Sequence, residues 1–99
     1  MDEFELPLKT RLNLETARIT WQELVFFFAR GQVLQVAADL DLIEVASAIA
    51  NDETQQVSTW LHAQQVRVLP DQMAKVWATD DHSLWAVVVA PWVLVQHRA

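Results

Sequence analysis

The sequence contains no cysteine and no long apolar run. Without cysteine, a disulfide framework, a thiolate nucleophile and a cysteine-based zinc site are all excluded. The longest apolar run, residues 84–90, is far shorter than the roughly 20 residues that a membrane-spanning helix needs. The first ten residues, MDEFELPLKT, show neither the basic nor the apolar segment of a signal peptide. We therefore expect a cytoplasmic protein with no membrane partner.

Glycine and proline are also scarce, with one and three copies in 99 residues. Few positions therefore require a left-handed backbone, which favours long helices over a β-sandwich with many turns. Hydrophobic residues make up 53% and charged residues 20% of the chain, which excludes a disordered polypeptide. A chain of this length forms one domain. We expect an α+β fold in which helices predominate.

Positive charge is in short supply. Seven Lys and Arg residues face thirteen Asp and Glu residues, so the net charge is −6. An acidic domain repels the phosphates of nucleic acids and of anionic membranes. The composition therefore disfavours both as partners.

Residues 39–69 form the most informative stretch, because they are typical of a helix, a polar turn, a second helix and a strand. Asp41 is expected to cap a helix over residues 42–50, and residues 51–53 form the turn. The second helix begins near Thr54, with Thr54 or Asp52 as its cap. Such an arrangement indicates a helix-turn-helix unit.

The segment before this unit predicts an arm and one long helix. Asn13 is a good amino-terminal cap and Gly31 a good carboxy-terminal stop, so a helix is expected over residues 14–30. Its core-facing stripe at helical spacing consists of Leu14, Ala17, Trp21, Leu24, Val25 and Phe28. Residues 1–11 are assigned to an amino-terminal arm and residues 12–99 to the domain.

After the unit, Pro70 is expected to start a short helix, and residues 84–95 are β-prone with a bend at Pro91. With a strand after Gly31 and another near residues 66–69, this order predicts a winged-helix-like domain. Such a domain combines a helix-turn-helix with a small antiparallel sheet. Here a short helix would be inserted in the wing.

More apolar residues are present than one core face requires. Ile19, Phe26 and Phe27 lie outside the stripe of the first predicted helix, and the strand at residues 84–95 is apolar on both faces. A small winged-helix sheet has one open face, so the arm or another subunit must cover the second. We therefore predict an interface with a protein, either a second copy of this chain in a homodimer or another subunit, which includes the residues Ile19, Phe26, Phe27, Trp85, Val87 and Trp92.

The sequence offers no good candidate for catalysis, for a metal or for a cofactor. The three histidines, His62, His82 and His97, are far apart in the sequence. Residues 80–82 place three possible ligands in one turn, but one turn seldom completes a metal site. We predict no catalytic, metal-binding or cofactor-binding residue, and an enzyme is the third-ranked hypothesis.

The second hypothesis is a transcriptional regulator that binds DNA through the helix-turn-helix. Residues 32–65 contain five acidic residues and neither Lys nor Arg. The exposed polar side chains expected on the second helix of the unit could hydrogen-bond to base edges, but basic residues supply most non-specific DNA affinity. The charge pattern therefore ranks DNA binding second.

Two segments, LNLETARITWQELVFFFARG at residues 12–31 and LWAVVVAPWVLVQ at residues 84–96, resemble a family of small bacterial proteins known only as a domain of unknown function. The resemblance covers residues 11–96 and implies a bacterial cytoplasmic protein. It implies no site residues. Our first hypothesis is a non-catalytic protein-interaction module, acting as a homodimer or as an accessory subunit of a larger complex.

Overall fold

The computed structural model describes residues 6–79 and 83–98. Within these ranges the chain forms a mixed α+β fold with five helices and five strands. In chain order they are α1 (Leu8–Glu15), β1 (Ala17–Arg18), α2 (Trp21–Ala29), β2 (Val33–Val36), α3 (Leu42–Ala50), α4 (Thr54–His62), β3 (Val66–Val68), α5 (Asp71–Thr79), β4 (Leu84–Val89) and β5 (Trp92–His97).

The strands form one mixed sheet in the order β1-β4-β5-β2-β3. Neighbours are antiparallel except β2 and β5, which run parallel with Leu34 opposite Leu94. The small antiparallel sheet of the sequence-based prediction therefore has to be corrected. Residues 84–95 are two strands, because the chain turns at Ala90 and Pro91 and pairs β4 with β5.

Helix α5 also differs from the prediction of a helix inserted in a wing hairpin. It connects β3, at one edge of the sheet, with β4, next to the opposite edge. Strands β5 and β2 lie between the two strands that it joins. The helix is thus a crossover connection between distant strands.

The sheet is the middle of three layers. Residues along β5 alternate between its faces: Leu94 lies in the cluster beside α1, α3 and α4, whereas Val93 and Val95 lie in the cluster beside α2 and α5. The apolar character of both faces is therefore real. The cover comes from the chain's own helices, among them α1, which begins inside the segment assigned to the arm, so no second subunit is needed for it.

The predicted helix over residues 14–30 is wrong. The chain leaves α1 at Thr16, which is extended, forms the short strand β1 and begins α2 at Trp21. Thr20 caps α2 in a capping box with Glu23. This threonine–glutamate pair starts a new helix inside a stretch whose apolar spacing continues a helical pattern.

The boundary between arm and domain is likewise displaced. Helix α1 begins at Leu8, inside the segment assigned to the arm, and its Leu12 is buried in the core between α1, α3 and the sheet. Leu14, expected to face the core, is 70% exposed. Residues 1–5 of the predicted arm lie outside the described residues.

Other local predictions are confirmed. The Asp41 carboxylate accepts hydrogen bonds from the backbone N–H groups of Ile43 and Glu44 at 2.9 and 3.4 Å, and α3 follows. Gly31 ends the α2 segment with φ +69°, a left-handed backbone that favours glycine. The expected cap of α4 is wrong, because the N-cap is Glu53 and makes no side-chain capping bond.

Candidate protein-interaction surfaces

The three residues that the predicted interface takes from the amino-terminal third of the chain differ in solvent exposure. Phe27 and Ile19 are half-buried and pack against the cluster on the α2 and α5 side of the sheet. Phe26 is 70% exposed. It lies about 160° around the helix axis from the fully buried Leu24, so it points away from the core. Of these three residues, Phe26 alone presents most of its side chain to solvent.

The strand residues of the predicted interface also differ in how deeply they are buried. Val87 is only 1% exposed and belongs to the core cluster beside α1 and α3, so its assignment to a surface is wrong. The alternation of β4 points it towards these helices rather than outward. Trp92 is half-buried against the same cluster.

Trp85 on β4 contacts a small polar network formed by Gln96 and Arg98 at the end of β5. The Arg98 guanidinium carbon is 5.2 Å from the centroid of the Trp85 ring, within the range of a cation–π contact. Arg98 Nε also donates a hydrogen bond to Gln96 Oε1 at 3.1 Å. The arrangement gives this tryptophan an intramolecular partner.

A polar groove of about 470 Å³ lies on one side of α4, against α3 and α1. Its acidic lining comprises Asp39, Asp41, Glu44 and Glu53. Lys9 of α1 lies in the groove, and its Nζ donates to Glu44 Oε1 at 2.6 Å. The hydrogen bond and the charge of Glu44 raise the pKa of Lys9 above its ordinary value of 10.5, and Asp41 and Glu53 add smaller effects in the same direction.

A second groove, of about 280 Å³, lies between the end of α3 and α4. Its apolar lining includes Ile49, Val57 and Leu61, and Asp52 and Glu53 lie at the turn end. Leu61 is 47% exposed, although it shares one face of α4 with Val57 and Trp60 at helical spacing. Helical spacing alone could not reveal this, because it does not tell which side of α4 lacks a covering element.

Residues 6–79 and 83–98 contain no group of three or more His, Asp or Glu side chains placed to hold a metal ion. His62 is exposed at the end of α4. The three consecutive residues 80–82 lie outside the described part of the chain. Over the described ranges, no helix is long and apolar enough to cross a membrane.

Comparison with known proteins agrees with the sequence resemblance. A solved structure, the NMR solution structure of PA1075 from Pseudomonas aeruginosa, is 48% identical, with a TM-score of 0.82. The alignment covers 100% of this chain and 92% of that one. A search of curated proteins gave no match. The profile of a protein family of unknown function, DUF2288, matches residues 7–97. The resemblance noted in residues 12–31 and 84–96 is confirmed, and the chain belongs to the DUF2288 family.

Proposed function

We propose that this protein is a non-catalytic protein-interaction module that pairs with a second copy of itself through the outer face of α2. The observation that carries the proposal is Phe26, 70% exposed on a domain whose helices already cover both faces of its sheet. The fold has no need for a phenylalanine at this position. Aromatic residues are enriched at the centres of protein interfaces.

The charges at the two ends of α2, Glu23 in its first turn and Arg30 at its C-cap, support a symmetric pair. Glu23 and Arg30 lie at equal sequence distances on either side of the midpoint between Phe26 and Phe27. If two copies of α2 cross antiparallel at this midpoint, Glu23 of each copy comes near Arg30 of the other. Two such pairs would flank a central Phe26–Phe26 contact, and aromatic pairs contribute roughly 0.5–1.5 kcal/mol beyond the area they bury.

Light scattering on a size-exclusion column, over a wide range of protein concentrations, tests the proposal. A dimer is expected for the wild-type chain, and Phe26→Ser and Arg30→Glu should each shift it towards monomer. Leu14→Ser, which shortens an equally exposed apolar side chain on α1, on the opposite side of the sheet, is the matched control and should leave the dimer intact.

A wild-type monomer at every concentration would overturn the homodimer. The interaction module would then be an accessory subunit, and its Phe26→Ser variant should capture fewer proteins from bacterial lysate than the Leu14→Ser control. Equal capture by the two variants would contradict that form as well.

The second candidate function is that of a transcriptional regulator that binds DNA through α3 and α4 as a helix-turn-helix. It is favoured by the arrangement of α3 and α4, which contact each other across a short turn and are followed by strand β3. Against it stands the acidic character of residues 32–65, which contain no Lys or Arg to neutralise phosphates. A salt-dependent complex with duplex DNA at low ionic strength would favour this function over the first.

A further inference from the structure

The apolar groove between α3 and α4 is distinct from the Phe26 surface. One of its walls is the stripe Thr54, Val57, Ser58 and Leu61, which follows the i, i+3, i+4, i+7 spacing along α4. This stripe is about 10 Å long, or two helical turns. The groove has a volume of about 280 Å³, which is at the lower limit for small-molecule pockets, since these span roughly 300–1,000 Å³. The dimensions therefore suit a few side chains presented by a partner helix.

The turn end of the groove is negatively charged. Asp52 and Glu53 line it, both are exposed, and neither is in an ion pair among the described residues. The cation that the chain itself supplies, Lys9, is bound to Glu44 in the neighbouring polar groove. An occupant with positive charge beside its apolar side chains would complement both the lining and the rim.

The same charges argue against self-pairing at this site. A symmetric contact between two copies through this groove would place Asp52 and Glu53 of one copy near the same carboxylates of the other. Repulsion between like charges in an interface disfavours such a pair.

We propose that the groove between α3 and α4 binds a basic amphipathic helix of a partner protein. The apolar residues of that helix, spaced at i, i+3 or i+4, and i+7, enter the groove beside Val57 and Leu61. Its Lys or Arg side chains lie against Asp52 and Glu53. The inference gives the interaction module proposed above a second surface and a partner chemistry, and it rests on that proposal.

The probe for a binding test is a fluorescein-labelled peptide of leucine and lysine, about 18 residues long so that it can form a helix. Its leucines follow the i, i+3, i+4, i+7 pattern. Two comparison peptides have the same composition in scrambled order, or glutamate in place of every lysine. Fluorescence anisotropy with the full chain is expected to show binding of the patterned peptide alone, weakening as salt is added.

Variants assign the binding to this groove. Leu61→Ser and the double variant Asp52→Asn/Glu53→Gln should each weaken the affinity about tenfold. Asn is suited to position 52, where φ is +57°, because it tolerates the left-handed backbone. Leu14→Ser, which changes an exposed leucine on α1, is the matched control and should bind like the wild type. Circular dichroism establishes that each variant is folded.

The proposal is overturned if Leu61→Ser and the double variant bind as tightly as Leu14→Ser, or if the scrambled or glutamate peptide binds equally well. Binding of a labelled short DNA duplex by the chain at low salt in the absence of peptide, weakened by Leu61→Ser, would also overturn it, since the site would then accept phosphates. Failure here is separable from failure of the Phe26 surface, because that surface is measured by light scattering without any peptide.

Discussion

The side chain of Gln96 on β5 ties the sheet to the loop before α3, with its Nε2 donating to the carbonyl oxygen of Leu40 at 2.7 Å. The same nitrogen donates to the carbonyl oxygen of Ala37 at 2.9 Å. Gln96 is 3% exposed, and its Oε1 accepts from Arg98. A buried polar side chain is thus fully used at the point where the chain passes from β2 to α3.

Replacing Gln96 by leucine should destabilise the domain by about 1–3 kcal/mol, because the carbonyl of the half-buried Leu40 loses this donor. The Ala37 carbonyl keeps a second donor, the backbone N–H of Leu40. Urea unfolding followed by tryptophan fluorescence measures the loss. Gln72→Leu, at an exposed position of α5, is the control and should change the free energy of unfolding by less than about 0.5 kcal/mol.

Truncation of Val87 should lower the free energy of unfolding much more than truncation of Phe26, although the sequence assigned both residues to one surface. Val87→Ala removes two buried methyl groups and leaves a cavity, so we expect a loss of about 2 kcal/mol. Phe26→Ala, measured on dilute protein, should alter stability by no more than about 0.5 kcal/mol. Comparable losses at the two positions would contradict the assignment of Val87 to the core and Phe26 to the surface.

Local signals in the sequence predicted local structure well. The cap at Asp41, the stop at Gly31 and the helix after Pro70 each depend on the conformational preference of one residue. The break between α1 and α2 was missed because apolar spacing continues through residues 14–28, although Thr20 and Glu23 already carry the capping-box pattern. Propensity at the helix start outweighed periodicity.

The pairing of strands that are distant in the sequence could not be predicted from local patterns. The parallel contact of β2 with β5 joins residues about sixty positions apart, and no short-range pattern specifies it. Once this pairing places β5 inside the sheet, both of its faces need helices, which explains the apolar residues that the sequence assigned to an interface. The exposure of Phe26 could be predicted because this residue lies off the core stripe. The exposure of Leu61 could not, because it depends on the empty space beside α4.

Gly31 should resist replacement for backbone reasons alone. A Cβ atom added there would meet nothing within 4 Å, but φ is +69°. Gly31→Ala should therefore cost about 1–2 kcal/mol through left-handed strain, and Gly31→Asn should cost less because Asn tolerates this region. Thermal unfolding of the two variants ranks them. Equal losses would show that the backbone at this position relaxes to another conformation.

The contact between Lys9 and Glu44 should make stability depend on pH at the alkaline end. Glu44 raises the pKa of Lys9 above 10.5 in the folded protein, so the stabilisation is fully present below pH 10.5 and disappears as pH rises through the folded value. The difference in unfolding free energy between the wild type and Lys9→Gln should therefore shrink above pH 10.5. The chain has no tyrosine or cysteine to titrate in this window.

Nuclear magnetic resonance of the lysine side chains gives the pKa of Lys9 directly, and Glu44→Gln should lower it towards 10.5. A Lys9 pKa that is unchanged by Glu44→Gln would show that the pair does not persist in solution, as exposed pairs often do not.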